Sequence, residues 1–311
     1  MNLDFKAPEF SRTLELPDGQ VVGYAEIGLR EGKPVLFMHG WPSCRLQPLH
    51  AYELVNRYGV RLIVPDRPGL GLSSPVPERR IADYPAQMAA LLDHLQIGRC
   101  HVMGESGGCP YALATAWALP ERVDKVAVLC GAPPLSEFDD WSDLFPVFRL
   151  LLSIRQRAPG LQLQALKLAT LYTRWMPERW MVKAILPVLP SRDRQAMQEP
   201  QALPAYTAMA HGTYGNGPAP VLQDGELFLA DWGFPWREIR RPVAFWHGCD
   251  DQTLPLAKTR WLAEQIPGAS FFPVEGEGHY SLPVYHFETA LRWLYQKTES
   301  TAENSRQIQA I

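Results

Sequence analysis

Six short runs of apolar residues constrain the fold of this chain most strongly. Each run is continuous, without the alternation of apolar and polar residues that marks a strand with one solvated face. Such strands are usually buried on both faces, as in a parallel sheet. The six runs are residues 34–38, 60–64, 100–103, 125–130, 242–246 and 269–274. Helical patterns lie between them, the clearest at residues 88–95, so the sequence predicts an α/β fold with right-handed crossovers.

Two further features refine this architecture. Residues 12–16 and 20–27 alternate and are joined by a Pro-Asp-Gly turn, which predicts an antiparallel hairpin at the start of the sheet. Residues 131–241 contain helical patterns, many prolines and half of the ten tryptophans, but no convincing strand. An interval of about 110 residues is too long for a crossover loop, so we interpret it as an inserted helical cap.

The predicted fold is therefore a mostly parallel, doubly wound sheet with an N-terminal antiparallel hairpin and an inserted helical cap. We expect the first part of the core at residues 1–134, the cap at 135–238 and the second part of the core at 239–297. The polar, glycine-free stretch at 298–311 has little to bury and is expected to fray.

Charge and cysteine content argue against several classes of partner and of structural site. The 30 Lys and Arg residues nearly balance the 33 Asp and Glu residues of this 311-residue chain, leaving a net charge of −3. That balance argues against nucleic acid or an anionic membrane as a partner. The five cysteines are scattered and include no C-x-x-C pair, which argues against a disulfide framework or a zinc site. No signal peptide or membrane span is evident, so we expect a cytoplasmic protein, and a homodimer is left open.

One serine lies in a glycine-rich turn between a predicted strand and a predicted helix. Residues 104–108 read G-E-S-G-G, with the serine at Ser106. This is the context of a nucleophile elbow, where a sharp turn projects the hydroxyl and flanking glycines avoid collisions. A glycine-rich helix start without chemistry is the alternative for the motif taken alone. Beside the serine, Glu105 is expected to make a structural hydrogen bond; the alternative is that it raises the proton affinity of the base.

A serine nucleophile needs a base, and the base needs an acid to orient it. Asp250 and Asp251 follow the strand at 242–246, and His279 follows the next strand. These side chains and Ser106 would project from the carboxyl ends of parallel strands, where open α/β sheets keep their sites. The chain order is serine, aspartate, histidine, which predicts Ser106 and His279 as nucleophile and base, with either aspartate as the acid.

A loop after the first buried strand completes the candidate site. Residues 39–42 read H-G-W-P, and backbone amides at such a place can point at the oxyanion of a tetrahedral intermediate. The natural donors are the amides of Trp41 and Gly107. His39 is expected to brace the loop, and the glycine-rich segment 66–73 is expected to be a structural turn, because it lacks the lysine of a phosphate-binding loop.

Taken in order, these motifs resemble the α/β-hydrolase fold superfamily along nearly the whole chain. The resemblance assigns the acid to Asp251 and keeps Asp250 as the alternative. Relatives that dehalogenate haloalkanes or open epoxides carry aspartate at the elbow, so Ser106 disfavours those reactions. Segments 106–114 and 231–234 are also similar to largely uncharacterised bacterial hydrolases, which indicate no substrate.

The predicted function is that of a serine hydrolase acting through an acyl-enzyme, without cofactor or metal. Residues 131–240 contain 11 basic and 11 acidic residues, so the expected substrate is a small, mostly uncharged ester or related acyl compound. Aromatic residues predict an apolar acyl or alcohol group, with Trp41, Trp141 and Trp232 as candidate contacts; alternatively, the cap tryptophans only hold its helices together. A carbon–carbon bond hydrolase, an acyltransferase and a ligand-binding receptor on the same fold remain alternatives.

Overall fold

A computed structural model describes residues 4–296, apart from residues 6, 159, 162–163, 166, 169–170, 172–179 and 181–184. The predicted C-terminal tail, residues 298–311, lies outside the described residues. In the part that is described, no helix combines the length and the apolar character needed to cross a bilayer.

An eight-stranded sheet forms the centre of the molecule. Its strands are β1 (Arg12–Glu15), β2 (Val21–Gly28), β3 (Lys33–Met38), β4 (Val60–Pro65), β5 (Cys100–Glu105), β6 (Val123–Leu129), β7 (Val243–Gly248) and β8 (Ser270–Val274). They lie in the order β1-β2-β4-β3-β5-β6-β7-β8. The pairs β1–β2 and β2–β4 are antiparallel and the other pairs are parallel. The predicted hairpin and all six predicted strands are present, which confirms the α/β class; the expectation of burial on both faces is wrong for β8, an edge strand without a fully buried residue.

The register of the parallel strands brings their carboxyl ends to one edge. Met38 pairs with Gly104 near the ends of β3 and β5, and Leu129 pairs with Trp246 near the ends of β6 and β7. Loops that follow these strands therefore meet at the same edge of the sheet, as the sequence predicts for the candidate site.

Helices cover both faces of the sheet. In chain order, the described α-helices are α1 (Tyr52–Arg57), α2 (Tyr84–His94), α3 (Cys109–Ala118), α4 (Pro146–Arg157), α5 (Ser191–Met197), α6 (Ala202–Thr213), α7 (Pro218–Leu229), α8 (Leu256–Glu264) and α9 (Ser281–Tyr295). Leu91, Leu113 and Leu262 belong to one buried cluster, so α2, α3 and α8 share a face. Val55 of α1 and Leu291 of α9 belong to a second cluster. Two separate cores are expected for a doubly wound sheet, because each face buries its own apolar side chains.

The chain leaves the sheet between two strands that are neighbours in space. Strands β6 and β7 pair directly, with Val126 opposite Val243, yet α4 to α7 separate them in sequence. The described residues between these strands form helices and turns, and none of them is in a strand. We refer to residues 135–238 as the insertion; these boundaries, and the role of the insertion as a cap, stay predictions.

Candidate active site

The turn at Ser106 is sharp, and two glycines allow it. Ser106 directly follows β5 and has φ +52°, the left-handed region that non-glycine residues seldom adopt. A Cβ added at Gly108 would lie 1.9 Å from the carbonyl oxygen of Met38, and one at Gly104 would lie 2.9 Å from Cβ of Ala112. The close approach of β3 and α3 therefore explains why glycines flank the serine.

His279 links the serine to a carboxylate. Its Nε2 lies 3.0 Å from Oγ of Ser106, and its Nδ1 lies 2.8 Å from Oδ2 of Asp251. The neighbouring Asp250 is exposed, and its backbone N–H donates to the carbonyl of Glu277. Of the two adjacent aspartates, the one that meets His279 is thus Asp251, and the three side chains form a continuous hydrogen-bonded array.

The carboxylate of Asp251 is held in its ionised form. Its side chain is fully buried, and Oδ1 accepts the backbone N–H groups of Thr253 at 2.7 Å and Leu254 at 2.9 Å. Burial alone would raise the pKa of Asp251, but the charges and hydrogen bonds of His279 and His247 hold that pKa well below its usual range. An ionised Asp251 accepts a hydrogen bond from Nδ1–H of His279, and this tautomer leaves Nε2 free to accept the proton of Ser106.

The imidazole of His279 is a stronger base than an isolated histidine. Burial lowers its pKa, but the charge and hydrogen bond of Asp251, together with the smaller contributions of Asp193 and Glu105, outweigh burial. The net effect raises the pKa of His279 above its ordinary value. Such a base is suited to take a proton from a hydroxyl at 3.0 Å.

The loop at residues 39–42 packs directly on the serine turn. A Cβ added at Gly107 would lie 3.1 Å from the backbone nitrogen of Trp41, and one at Gly40 would lie 3.3 Å from Cβ of Ser106. The amide of Gly40 donates to Oε1 of Gln47 at 2.6 Å and is therefore occupied. The backbone segments of Trp41 and Gly107 are therefore in close contact beside the nucleophile, and a role of their amides as oxyanion donors stays a prediction.

A buried ion cluster fixes this loop to the insertion. Arg67 donates to the carbonyls of His39 and Gly40, and its guanidinium lies 2.8 Å from Oδ2 of Asp224 in α7. The other oxygen of Asp224 accepts from Arg79 at 2.9 Å and from the Tyr111 hydroxyl at 2.7 Å. Burial would raise the pKa of Asp224, but the two guanidinium charges lower it to about 2. A carboxylate of the insertion thus supports the arginine that holds the predicted oxyanion loop.

Glu105 makes the structural hydrogen bond that the sequence predicts. Its Oε1 accepts from Nε2 of Gln47, whose own Oε1 also accepts from Ser43. Burial raises the pKa of Glu105 to about 7, against the lowering effects of His279 and the Gln47 bond. When it is ionised, Glu105 also adds to the negative charge that raises the pKa of His279, so the alternative interpretation of this residue stays open.

A cavity of about 350 Å³ lies beside Ser106 and His279, between the core and the insertion. None of the described residues that line it is a lysine or an arginine. The lining carboxylates are Glu105, which bonds Gln47, and Glu226, which pairs with Arg155. The insertion contributes an apolar wall that includes Leu144, Phe145, Phe148, Leu152, Phe228 and Leu229. A cavity of this kind suits an apolar, uncharged group.

The three candidate tryptophans occupy different places. Trp41 lines the cavity, with its indole N–H donating to the carbonyl of Val221. The prediction of a substrate contact is wrong for Trp232, which is fully buried outside the cavity and packs against Phe234 and Trp236.

The prediction of a substrate contact is also not met by Trp141, which is not among the described residues that line the cavity. Its indole N–H donates to the carbonyl of Leu135, and its ring packs against the cluster that contains Leu144 and Leu254. These contacts match the alternative that cap tryptophans hold the insertion together.

The sequence did not predict the contacts of Asp193, Asp224 and Gln47, since isolated polar residues in helical segments carry no motif.

Comparisons with known proteins agree with this fold. The family model described as alpha/beta hydrolase fold matches residues 33–284, most of the chain. The chain therefore belongs to the α/β-hydrolase fold family.

Individual relatives differ in how much of the chain they match. The chain is 27% identical over 284 residues to a 2-hydroxymuconate semialdehyde hydrolase from Pseudomonas putida, covering 90% of this chain and 92% of that protein. It is 32% identical over 149 residues to a non-heme chloroperoxidase from Streptomyces lividans, covering 45% of this chain and 54% of that protein. The first three curated relatives are matched over 54%, 38% and 42% of their own lengths.

Among solved structures, an esterase from Rhodococcus sp. ECU1013 superposes with a TM-score of 0.65 at 19% identity, covering 91% of this chain and 97% of that one. At that identity the likeness supports the fold alone.

Proposed function

We propose that this protein is a serine hydrolase that cleaves a small, mostly uncharged ester or related acyl substrate. The observation that carries the proposal is the array of Ser106, His279 and Asp251 at the edge of an apolar cavity. An anionic substrate would have no cation to pair with among the described lining residues, and burying an unpaired charge is costly. The helices of the insertion act as a cap over this cavity.

The reaction proceeds in two acyl-transfer steps. Oγ of Ser106 attacks the carbonyl carbon while Nε2 of His279 takes its proton, and the resulting imidazolium is stabilised by the Asp251 carboxylate. The amides of Trp41 and Gly107 donate to the oxyanion of the tetrahedral intermediate. His279 returns the proton to the leaving alcohol, and water activated by the same base releases the acid from Ser106.

The role of the acid can be tested with an isosteric pair of variants. Turnover of short p-nitrophenyl esters should fall by about 10⁴-fold in Asp251→Asn, because the amide holds the wrong tautomer of His279. Asp250→Asn is the matched control and should retain turnover, since Asp250 is exposed. Loss of activity in Asp250→Asn with an active Asp251→Asn would move the acid to the neighbouring residue.

A second candidate is hydrolysis of a carbon–carbon bond by the same residues. It is favoured by the 27% identity to the semialdehyde hydrolase, which extends over 90% of the chain. A substrate panel of esters, thioesters, lactones, amides and 2-hydroxymuconate semialdehyde separates the two. Preferred cleavage of the semialdehyde would favour this candidate, and tight binding without turnover of any compound would favour a receptor instead.

A further inference from the structure

A carboxylate of the insertion contacts the backbone that carries His279. Asp193 lies in α5 and is 1% exposed. Its Oδ2 accepts the N–H of His279 at 3.1 Å, and its Oδ1 accepts the N–H groups of Tyr280 at 3.0 Å and Ser281 at 2.9 Å. One side chain thus bonds three consecutive amides in residues 278–281, which we call the base loop.

These amides lie at the start of a helix: those of His279 and Tyr280 just precede α9, and that of Ser281 is the first N–H of the helix. Helix α9 begins at Ser281, and the first N–H groups of a helix have no acceptor within it. A carboxylate usually supplies that acceptor from the residue just before the helix, and its charge is favoured there by the helix dipole. In this chain the acceptor comes instead from a residue of the insertion, 86 positions away in the sequence.

The base loop is shaped to admit this carboxylate. A Cβ added at Gly278 would lie 2.5 Å from Oδ1 of Asp193, so only glycine leaves the necessary room. The N–H of Gly278 donates to Oγ of Ser281 at 2.7 Å, which turns the loop so that the next three amides point at Asp193. A glycine is therefore required before His279 because the Asp193 side chain of the insertion occupies the space that a Cβ atom would need.

We propose that Asp193 is a positioning residue: the insertion fixes the backbone of His279 through this carboxylate and so completes the active site as well as covering it. The inference rests on the proposed function, because it assigns a role relative to the base of that reaction. Its consequence is that His279 keeps its distance to Ser106 only while α5 is docked.

The charge of Asp193 gives the proposal a second, electrostatic consequence. The charged or titratable groups that face His279 come from several elements: Asp251, Glu105, Asp193, Cys130 and Tyr280. Asp193 is one of the negative charges that raise the pKa of His279. Neutralising it should lower that pKa, which a merely structural role for the side chain would not do.

The test compares Asp193→Asn and Asp193→Ala with a matched control, Asp143→Asn. Asp143 belongs to the same insertion and also bridges to the core, through Lys258 of α8, but it does not contact the base loop. For each variant, kcat and KM toward a p-nitrophenyl ester are measured together with the pH profile of kcat/KM and the thermal unfolding midpoint.

We expect Asp193→Asn to lower kcat about 10-fold and Asp193→Ala about 100-fold, with KM changed less than about twofold, because misplacing a catalytic group penalises the reaction more than binding. In Asp193→Asn the acidic limb of the profile should move to lower pH. Asp143→Asn should keep the kcat and the pH profile of the parent protein. If Asp193→Ala does not fold, the near-isosteric Asp193→Asn carries the comparison alone.

Folded Asp193 variants with the parent kcat and acidic limb would overturn this inference and leave the proposed function standing. The inference would also fail if Asp143→Asn produced the same losses, because the effect would then be a general loosening of the insertion. A parent protein that turns over no acyl substrate would overturn the proposed function, and this inference with it.

Discussion

The buried ion cluster around Asp224 makes a quantitative prediction about stability. Asp224→Asn keeps the size of the side chain but leaves the guanidinium groups of Arg67 and Arg79 facing a neutral partner. All three side chains are at most 4% exposed, so water cannot compensate for the lost charge. Breaking a buried pair in this way typically costs about 3–5 kcal/mol.

The lowered pKa of Asp224 gives a second estimate of the free energy of the same interaction. A folded-state pKa of about 2 lies roughly two units below that of an exposed aspartate, which corresponds to about 2.5 kcal/mol of preference for the ionised form. That stability is present above the ordinary aspartate pKa and is lost as the pH falls toward 2. We therefore expect Asp224→Asn to lower the free energy of unfolding by about 3 kcal/mol or more at pH 7.

Urea denaturation is the suitable assay, because urea does not screen charges. The matched control is Asp83→Asn, which removes the same charge from an ion pair with Arg80 whose side chains are 45% and 69% exposed. Exposed pairs contribute about 0–1 kcal/mol, so this control should change little. If the two substitutions changed the free energy of unfolding equally, the argument that burial makes the Asp224 cluster important would be wrong.

Two further predictions concern pH. Because His279 must be neutral to accept the serine proton and its pKa is raised, the acidic limb of kcat/KM should have its midpoint above 6.5; a midpoint below that value contradicts the account. The raised pKa of Glu105, about 7 against 4.5, means that the folded state keeps its proton, so its ionisation destabilises the fold as pH rises from 4.5 through 7. Between pH 5 and pH 8, the free energy of unfolding of Glu105→Gln, measured with urea, should rise by on the order of 3 kcal/mol relative to that of the parent protein. A difference between the two proteins that does not change with pH would refute this.

The sequence predicts the strands and the order of the site residues for a physical reason. A strand buried on both faces is apolar along most of its length, and this pattern is local, so the run at 125–130 predicts β6 from its own residues. The sequence signal for the turn at Ser106 is local in the same way, because its glycines leave room for the close contacts that any nucleophile elbow makes.

The contacts between insertion and core could not be predicted. Asp224 lies 157 positions from Arg67 and Asp193 lies 86 positions from His279, and nothing in the local sequence of either aspartate marks its partner. The error for Trp232 has a related cause. Trp232 lies in the segment that follows α7, and whether a tryptophan there faces a cavity or a core depends on how the segment docks against the sheet.

The central claim is that Ser106 is a nucleophile activated by His279, and covalent labelling tests it most directly. A fluorophosphonate probe should add one adduct to the parent protein, and peptide mapping by mass spectrometry should place it on Ser106. Ser106→Ala should remain unlabelled, and His279→Ala should label far more slowly. Equal labelling of the parent protein and Ser106→Ala, or an adduct on another residue, would contradict the account.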